Sequence, residues 1–231
     1  PTIAHLAKKL GLPIAIMRLE GGYGIQPRWS DVVRKGSMRS YVKRVIEPEE
    51  YQSMTNDQLF DILREELTVD ESGICGEFPH EKSAEYLERV VYTCPDCGLT
   101  TWESNGQITR CTKCGRQVRY LPNKELAGIG QMFPYRFLAD WYDAQEKFVN
   151  GLDTLTMTQK PLWEETAKLS LVHPGSHKEI LQRNTAICLY GDRITAGDKV
   201  FEFDKIYAVT ILGKNKLNIY DRNQIFQLEG G

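Results

Sequence analysis

The sequence predicts an α+β multidomain protein with three kinds of structure in order along the chain. Helix-like and strand-like patterns alternate over the first seventy residues, two Cys-x-x-Cys-Gly motifs follow, and short strand-like runs fill the C-terminal part. Alternating helices and strands are typical of α/β domains, and paired cysteine motifs of a four-cysteine zinc ribbon. Closely spaced short strands favour a small, mostly antiparallel β domain.

The N-terminal elements are predicted from apolar spacing. Apolar residues recur at helical spacing between residues 3 and 10, so we expect a helix there. The apolar run Pro13–Leu19 predicts a buried strand, and the branched and aromatic residues of Met38–Ile46 predict a second strand. Thr55 and Gln58 have the spacing of a capping box, which starts a further helix with an apolar stripe reaching Leu67.

The strongest chemical motif consists of two cysteine pairs, Cys94 with Cys97 and Cys111 with Cys114, separated by thirteen residues. Each pair is expected to form a tight turn, or knuckle, with both sulfurs on one side. Two such knuckles close a tetrahedral site with four thiolate ligands, so the sequence predicts a structural zinc ion. Two disulfides, or iron in the same thiolate cage, are the alternatives. The stretch Leu99–Arg110 is expected to form the connecting hairpin. A cluster of free thiolates implies a reducing compartment.

The remaining elements are a helix expected over Arg136–Phe148 and a change to strand-like spacing from Ala167 onward. Glycine and asparagine turns separate the runs, which predicts a small sheet or barrel. The predicted strands are Leu169–Val172, Thr185–Tyr190, Lys199–Phe203, Ile206–Leu212, Lys216–Tyr220 and Gln224–Leu228.

Charge is distributed unevenly, although the 231 residues carry a formal net charge of only −2. Residues 1–44 hold nine Lys or Arg and two acids, whereas residues 45–88 hold two bases and thirteen acids. A basic block favours an anionic partner such as a phosphate or an acidic lipid surface. The alternative is a solvated face that balances the acidic segment.

Several classes of active site are excluded because their motifs are missing. The sequence has no P-loop, no dinucleotide-binding fingerprint and no Gly-x-Ser-x-Gly elbow. None of the four histidines stands in a known nucleophile motif, and Cys75 and Cys188 are unpaired. A zinc ion with four thiolates would leave the ribbon near electrical neutrality, which argues against nucleic acid as a partner.

The N-terminal segment resembles a known enzyme family. Ala4–Met17, which contains Gly-Leu-Pro before an apolar strand, resembles the last motif of the glycerolipid acyltransferases, the family of 1-acyl-glycerol-3-phosphate acyltransferases. Leu19–Gly24, Pro27–Trp29 and Arg34–Gly36, followed by Pro48–Glu50, resemble a bacterial branch in which a zinc ribbon and a PH- or GRAM-like β domain come next.

The resemblance implies acyl transfer from acyl-CoA or acyl-carrier protein to a lysophospholipid, at the cytoplasmic, inner face of the cell membrane. Pro13 would belong to the last motif, and Arg18, Arg28 and Arg34 are candidates for facing the anionic substrate. The family's His-x-x-x-x-Asp and Glu-Gly-Thr-Arg motifs are absent. We therefore expect a fragment that lacks its catalytic residues and is inactive alone.

This interpretation divides the chain into five predicted segments. They are an acyltransferase part (1–72), a linker or helix (73–90), the zinc ribbon (91–121), a helical connector (122–166) and an incomplete PH- or GRAM-like domain (167–231). One alternative is a non-enzymatic module that uses the ribbon and the β domain to bind protein or nucleic acid. Another is a complete chain whose first segment is a different α/β element.

Overall fold

The computed structural model describes residues 2–173, 175 and 177–230. The chain is an α+β protein with two compact units, Pro1–Phe148 and Val149–Gly231. The first unit contains the four cysteines of the ribbon, and the second is built on a curled, seven-stranded antiparallel sheet. The predicted boundaries at residues 72, 90 and 121 all lie inside the first unit.

The N-terminal elements follow the predicted order of helix, strand, loop, strand and helix. The first strand was predicted to be buried, but only one of its faces is, because Met17 and Leu19 are exposed. Strands β1 and β2 pair as an antiparallel two-stranded sheet, with an irregularity between Ile16 and Met17. One face of this sheet and the helices around it bury Ile16, Ile46 and Leu59. The element bounds are α1 Thr2–Leu10, β1 Ile14–Glu20, α2 Gly22–Ile25, β2 Arg39–Ile46, α3 Pro48–Tyr51 and α4 Asn56–Leu67.

The capping box at the start of α4 is confirmed. The Thr55 side chain accepts a hydrogen bond from the backbone N–H of Gln58, and the Gln58 side chain accepts one from the N–H of Thr55. The apolar stripe of α4 buries Leu59 and Leu63, whereas Leu67 at its end is exposed. The stripe therefore holds α4 against the sheet over its first two turns.

The ribbon segment contains the predicted hairpin and more. The expected helix or linker over 73–90 is reduced to a 3-10 turn at Leu87–Arg89, because Leu87 and its neighbours enter the core of the ribbon. The expected helical connector (122–166) contains one strand, one helix, a 3-10 turn at Thr154–Thr156 and the start of a further strand at Trp163. The element bounds are β3 Thr93–Cys94, β4 Gly98–Leu99, β5 Trp102–Asn105, β6 Ile108–Cys111, β7 Gln117–Tyr120, β8 Leu126–Ile129 and α5 Leu138–Asn150.

The ribbon shares its core with both of its flanks. Strands β5 to β8 form a four-stranded antiparallel sheet in sequence order. Trp102 from this sheet packs edge-on against Trp141 of α5, with ring centroids 4.8 Å apart. Tyr120 meets Trp29 of the N-terminal segment in the same way at 5.7 Å. The ribbon is therefore the centre of the first unit.

Phe78 explains two glycines of the N-terminal motifs. Its ring is 1% exposed, and its backbone N–H bonds to the carbonyl oxygen of Pro122 at 2.8 Å. A Cβ atom added at Gly24 or at Gly36 would overlap this ring. Both glycines are required by close approach of the ring, which anchors the N-terminal loops on the chain that follows the ribbon.

The second unit is a single antiparallel sheet in the order β12-β11-β10-β9-β15-β14-β13. Its core rows run across the sheet, for example from Leu169 through Leu228 to Leu217, which are consecutive Cα partners. The element bounds are β9 Trp163–Val172, β10 Lys178–Leu189, β11 Arg193–Ala196, β12 Lys199–Glu202, β13 Ile206–Leu212, β14 Lys216–Asp221 and β15 Gln224–Gly230.

Three strands of this sheet differ from the sequence prediction. Strand β9 begins at Trp163, six residues earlier than the predicted Leu169. Strand β10 begins at Lys178, seven residues earlier than expected. Its first part was missed because polar residues around Gln182 lie at two irregularities in the pairing with β9, and these interrupt the alternating pattern of the sequence. Strand β11 was missed since it has only four residues and follows a turn directly. These bulges bend a strand and increase its twist, which favours a curled sheet over a flat one.

We predict that Gly36→Ala destabilises the first unit, because the new methyl group overlaps the ring of Phe78. Overpacking of this kind costs about 1–3 kcal/mol in the free energy of unfolding. Denaturant titration of the purified chain measures this loss.

The matched control is Gly73→Ala, since an added Cβ there meets its nearest atom at 4.0 Å. Its unfolding free energy should change by less than about 1 kcal/mol. The double variant Gly36→Ala/Phe78→Leu should recover part of the loss, because the smaller side chain gives room to the methyl group. A Gly36→Ala chain as stable as wild type would contradict this packing role.

Candidate metal centre

The four ribbon cysteines converge on one point. Their Sγ atoms all lie within 4.8 Å of one another. Cys94 Sγ is 3.6 Å from Cys114 Sγ, and Cys97 Sγ is 3.6 Å from Cys111 Sγ. Four sulfurs at about 2.3 Å from a tetrahedral zinc would lie roughly 3.8 Å apart, so the cage fits such an ion.

The disulfide alternative is not supported, because all six cysteines are free thiols. A disulfide requires sulfur atoms about 2.05 Å apart, well below the separations in the cage. The arrangement that remains is a cluster of four sulfur atoms that could hold a single metal ion.

Local backbone geometry aims the sulfurs inward. Each pair is followed by a glycine with positive φ, +71° at Gly98 and +78° at Gly115, a conformation that glycine adopts without steric cost. The N–H of Gly115 donates to the carbonyl oxygen of Cys111 at 3.0 Å, which closes the second knuckle. The Cys-x-x-Cys-Gly pattern therefore encodes the two turns directly.

The protonation of the cage depends on a bound cation. Burial raises the pKa of the Cys94 and Cys97 thiols. Burial acts in the same direction on Cys111, but backbone N–H groups of the second knuckle and the Thr100 hydroxyl outweigh it and lower its pKa to about 6. Cys94 and Cys111 are buried, Cys97 is half-buried and Cys114 is exposed. Four thiolates this close together repel one another, so the fully ionised cage needs a metal ion at its centre.

An ion pair next to the sulfurs joins the two knuckles. Arg116 donates through Nε and Nη2 to both carboxylate oxygens of Asp96, at 2.5 and 2.8 Å, and through Nη1 to the carbonyl oxygen of Met132. Lys113 adds a hydrogen bond from Nζ to the carbonyl oxygen of Cys97. These cations partly offset the charge of a thiolate-bound metal, and outer contacts of this kind tune metal affinity.

Helix α5 supports the cage from behind. The buried side chain of Gln145 accepts hydrogen bonds from the N–H groups of Tyr92 and Thr93 and donates to the carbonyl oxygen of Val90. The Trp141 indole N–H donates to the carbonyl oxygen of Thr93, the residue before Cys94. Sequence analysis missed Gln145 and Arg116, because a helix fifty residues away and a single arginine carry no local motif.

The arrangement of this centre fits a structural metal site and not a catalytic one. All four positions of a tetrahedral ion are filled by protein sulfurs, whereas catalytic zinc sites keep one position for water or substrate. In the described ranges, no second cluster of three or more His, Cys, Asp or Glu converges in this way.

None of the four predicted substrate residues belongs to the cysteine cage, and their environments differ. Pro13 and Arg28 are exposed. Arg18 donates through Nη2 to the carbonyl oxygens of Glu66 and Thr68, so it caps the C-terminal end of α4.

Arg34 is 2% exposed and donates to the carbonyl oxygen of Ser83 at 2.7 Å. Its guanidinium group stacks on the rings of Trp29 and Tyr120, at 5.1 and 4.7 Å from their centroids. In this position Arg34 stabilises the interior. Its contact with an anionic substrate stays a prediction, and that contact would require the side chain to leave these partners.

The basic block is largely engaged within the first unit. Arg39 pairs with Glu20, and Lys43 and Arg44 both pair with Glu66. Arg18 and Arg34, like Lys8, donate to backbone carbonyl groups. The exposed bases that remain are Lys9, Arg28 and Lys35. Of the bases in this block, Lys43 and Arg44 are paired with an acid of the following segment, so folding offsets part of the charge imbalance.

Comparisons with known proteins give no family: no protein-family profile, no curated protein and no solved structure matches this chain. Within the described part of the chain, no helix is both long enough and apolar enough to cross a membrane.

We predict that Cys111→Ser abolishes metal retention, because the site then has only three thiolates. Elemental analysis should show a fall from about one ion per chain to nearly none. The unfolding temperature should drop by roughly 5 °C or more, since metal binding stabilises the folded state.

Cys75→Ser is the control, because Cys75 is an exposed thiol of the same unit outside the cage. It should keep both the metal content and the unfolding temperature of wild type. Full metal retention by the Cys111→Ser chain would contradict the four-sulfur assignment.

Proposed function

We propose that this chain is the C-terminal part of a glycerolipid acyltransferase in phospholipid biosynthesis, with its cysteine cage holding a structural zinc ion. The complete enzyme would transfer a fatty acyl group from an acyl thioester to a lysophospholipid such as 1-acyl-glycerol-3-phosphate. The proposal rests on the N-terminal motifs and on one feature of the surface of the first unit.

That feature is an open apolar face on the β1–β2 sheet. Met17, Leu19, Val42 and Val45 are exposed, and Met17 retains 55% of its accessible surface. Met17 and Val42 are Cα partners across the sheet, so they lie on the same face. Contiguous exposed apolar residues favour a covering partner. We assign that place to the catalytic part of the same acyltransferase, which the resemblance puts before this segment.

The mechanism divides between the two parts of such an enzyme. A general base, held in a His-x-x-x-x-Asp motif outside this chain, would take the proton of the acceptor hydroxyl as it attacks the thioester carbonyl. The thiol of the donor then leaves. The residues described above supply no catalytic group. They would provide one wall of the active domain, through the strand that follows Pro13, and a zinc-stabilised platform behind it.

Contact with an anionic membrane surface, at the inner face of the cell membrane, is part of the same proposal. Lys9, Arg28 and Lys35 are the exposed bases of the N-terminal block that remain available for it. Each basic residue near an anionic lipid surface contributes about 1 kcal/mol, so three give a weak and reversible attachment.

The metal is predicted to be zinc, because a closed tetrahedral set of four thiolates suits zinc, and iron is the competitor. Elemental analysis of protein expressed in medium with both metals should find about one zinc per chain, by the stoichiometry of one ion to four thiolates. The zinc form is colourless, whereas an iron–thiolate centre absorbs visible light. A coloured, iron-loaded chain would contradict the zinc assignment.

We predict that Met17→Glu abolishes acyl transfer in the protein extended upstream through its His-x-x-x-x-Asp segment. A buried, unpaired carboxylate would separate the two parts, at a cost of several kcal/mol. The assay follows acyl transfer from acyl-CoA to 1-acyl-glycerol-3-phosphate. The 231-residue chain carrying Met17→Glu should unfold at the wild-type temperature, because Met17 is exposed in it.

The matched control is Met132→Glu, since Met132 is 87% exposed and lies outside the β1–β2 face. It should leave acyl transfer unchanged. An upstream sequence without His-x-x-x-x-Asp, or an extended wild-type protein without acyl transfer, would contradict the proposal. Salt-dependent binding of RNA or DNA by such an inactive protein would support the non-enzymatic interaction module.

A further inference from the structure

Strand β13 (Ile206–Leu212) is an open edge of the seven-stranded sheet. It pairs with β14 on one side, and no strand of the described ranges pairs with its other side. Every residue after Ile206 is exposed, and Ile211 keeps 73% of its accessible surface. An open edge presents a row of N–H and C=O groups to which a further strand can bond.

The opposite edge of the sheet, β12, is protected against such pairing, and β13 is not. Strand β12 has four residues and carries charge at both ends, on Lys199 and Glu202. Short length and charged side chains are the usual devices that keep an edge from pairing with another chain. Strand β13 has seven residues, none of them charged, and most are of the branched or aromatic types that favour strands. Pairing is therefore favoured at one edge of the sheet.

The buried face of the sheet continues onto β13 and loses its cover there. Ile211 is the Cα partner of Leu217, and Leu217 is the Cα partner of Leu228, so the three side chains lie on one face. Leu228 is buried in the core, whereas Ile211 is exposed. Val209 ends a second row in the same way beside the buried Ile219. A partner that fits this edge extends both the backbone ladder and the apolar rows.

A second copy of β13 meets both requirements. The pairing of β13 with β14 is regular over Ala208–Leu212, and Thr210 is the middle of that stretch. Two such stretches can pair antiparallel about a two-fold axis at Thr210. Val209 of each copy then lies opposite Ile211 of the other, and opposed side chains share a face. The apolar rows of the two copies thus join on the buried side of the sheet.

The charges that flank β13 favour the antiparallel arrangement. Asp204 precedes the strand and Lys214 follows it. Lys205 also precedes it, but this base is paired with Glu202 of its own chain. Antiparallel pairing brings the beginning of one strand beside the end of the other, so unlike charges meet. Parallel pairing would bring like charges together.

We propose that the β13 edge is a self-association surface, at which a second copy of this chain adds its own β13 strand antiparallel. The product is a symmetric dimer with one antiparallel sheet running through both copies. Each copy uses the same strand, so the contact closes on itself and recruits no third copy. This surface belongs to the second unit and requires neither the metal cage nor acyl transfer.

The test uses analytical ultracentrifugation of the full 231-residue chain from about 10 µM to 500 µM. A monomer–dimer equilibrium with a dissociation constant on the order of 100 µM is expected, because a single pair of strands forms the contact. Hydrogen exchange measured by mass spectrometry should slow in residues 206–212 as the dimer forms, since the open edge becomes bonded. A chain that stays monomeric, or a dimer without this slowing, overturns the proposal.

Two double variants at the same positions test the alignment of the strands. Ala208 and Leu212 are exposed on the outer side of the sheet, and each lies opposite the other across the proposed contact. Ala208→Lys/Leu212→Lys places like charges opposite each other and should raise the dissociation constant at least about tenfold. Ala208→Glu/Leu212→Lys places unlike charges there and should associate at least about tenfold more tightly than the double-lysine chain. Equal association of the two variants overturns the antiparallel alignment.

Val200→Lys is the control, because Val200 is an exposed residue of the other edge strand, β12. It should dimerise as wild type. All of these chains should unfold at the wild-type temperature, since the substituted side chains are exposed. An unchanged dissociation constant in the double-lysine chain, or loss of the dimer in Val200→Lys, would assign the contact to another surface and overturn the proposal.

Discussion

The carbonyl oxygen of Thr93 accepts hydrogen bonds from two buried indoles, those of Trp102 and Trp141, at 3.1 and 3.2 Å. This contact lies one residue before Cys94 and joins the ribbon sheet to α5. A ribbon of about thirty residues cannot bury enough apolar surface to be stable alone. Aromatic partners from α5 and from the N-terminal segment supply part of what is missing, and a metal ion held by the cage would add to it. The first unit is therefore built outward from the ribbon, and its N-terminal loops reach the same core through Trp29.

The glycine-rich motifs of the N-terminal segment have a packing role that is independent of any catalytic one. Gly24 and Gly36 lie against the ring of Phe78, which belongs to the segment after α4. The motif residues and the ribbon thus depend on each other for a stable fold. That dependence gives a physical reason for finding them in one chain. It does not by itself assign a reaction, and acyl transfer rests on the resemblance together with the open face of β1 and β2.

Electrostatics shows why charge along a sequence differs from charge on a surface. The basic and acidic segments are adjacent in sequence, and folding brings Lys43 and Arg44 of the first onto Glu66 of the second, whereas Arg39 pairs with Glu20 of its own segment. Exposed pairs of this kind contribute little to stability, about 0–1 kcal/mol each. Their larger effect is to remove free positive charge from the surface of the first unit. A charge count over the sequence therefore overestimates the attraction of this surface for any anionic partner.

The sequence by itself determined much of the local structure of this protein. The two cysteine knuckles, the capping box at Thr55 and most strand positions follow from short motifs and side-chain periodicity, which act over a few residues. The tertiary structure alone decided what depends on distant residues: the burial of Arg34 and the support of the cage by Gln145. Strand β10 lies between these cases, since its bulges hide its period. The four cysteines were predictable because their spacing fixes their geometry, whereas contacts across fifty residues leave no pattern in the sequence.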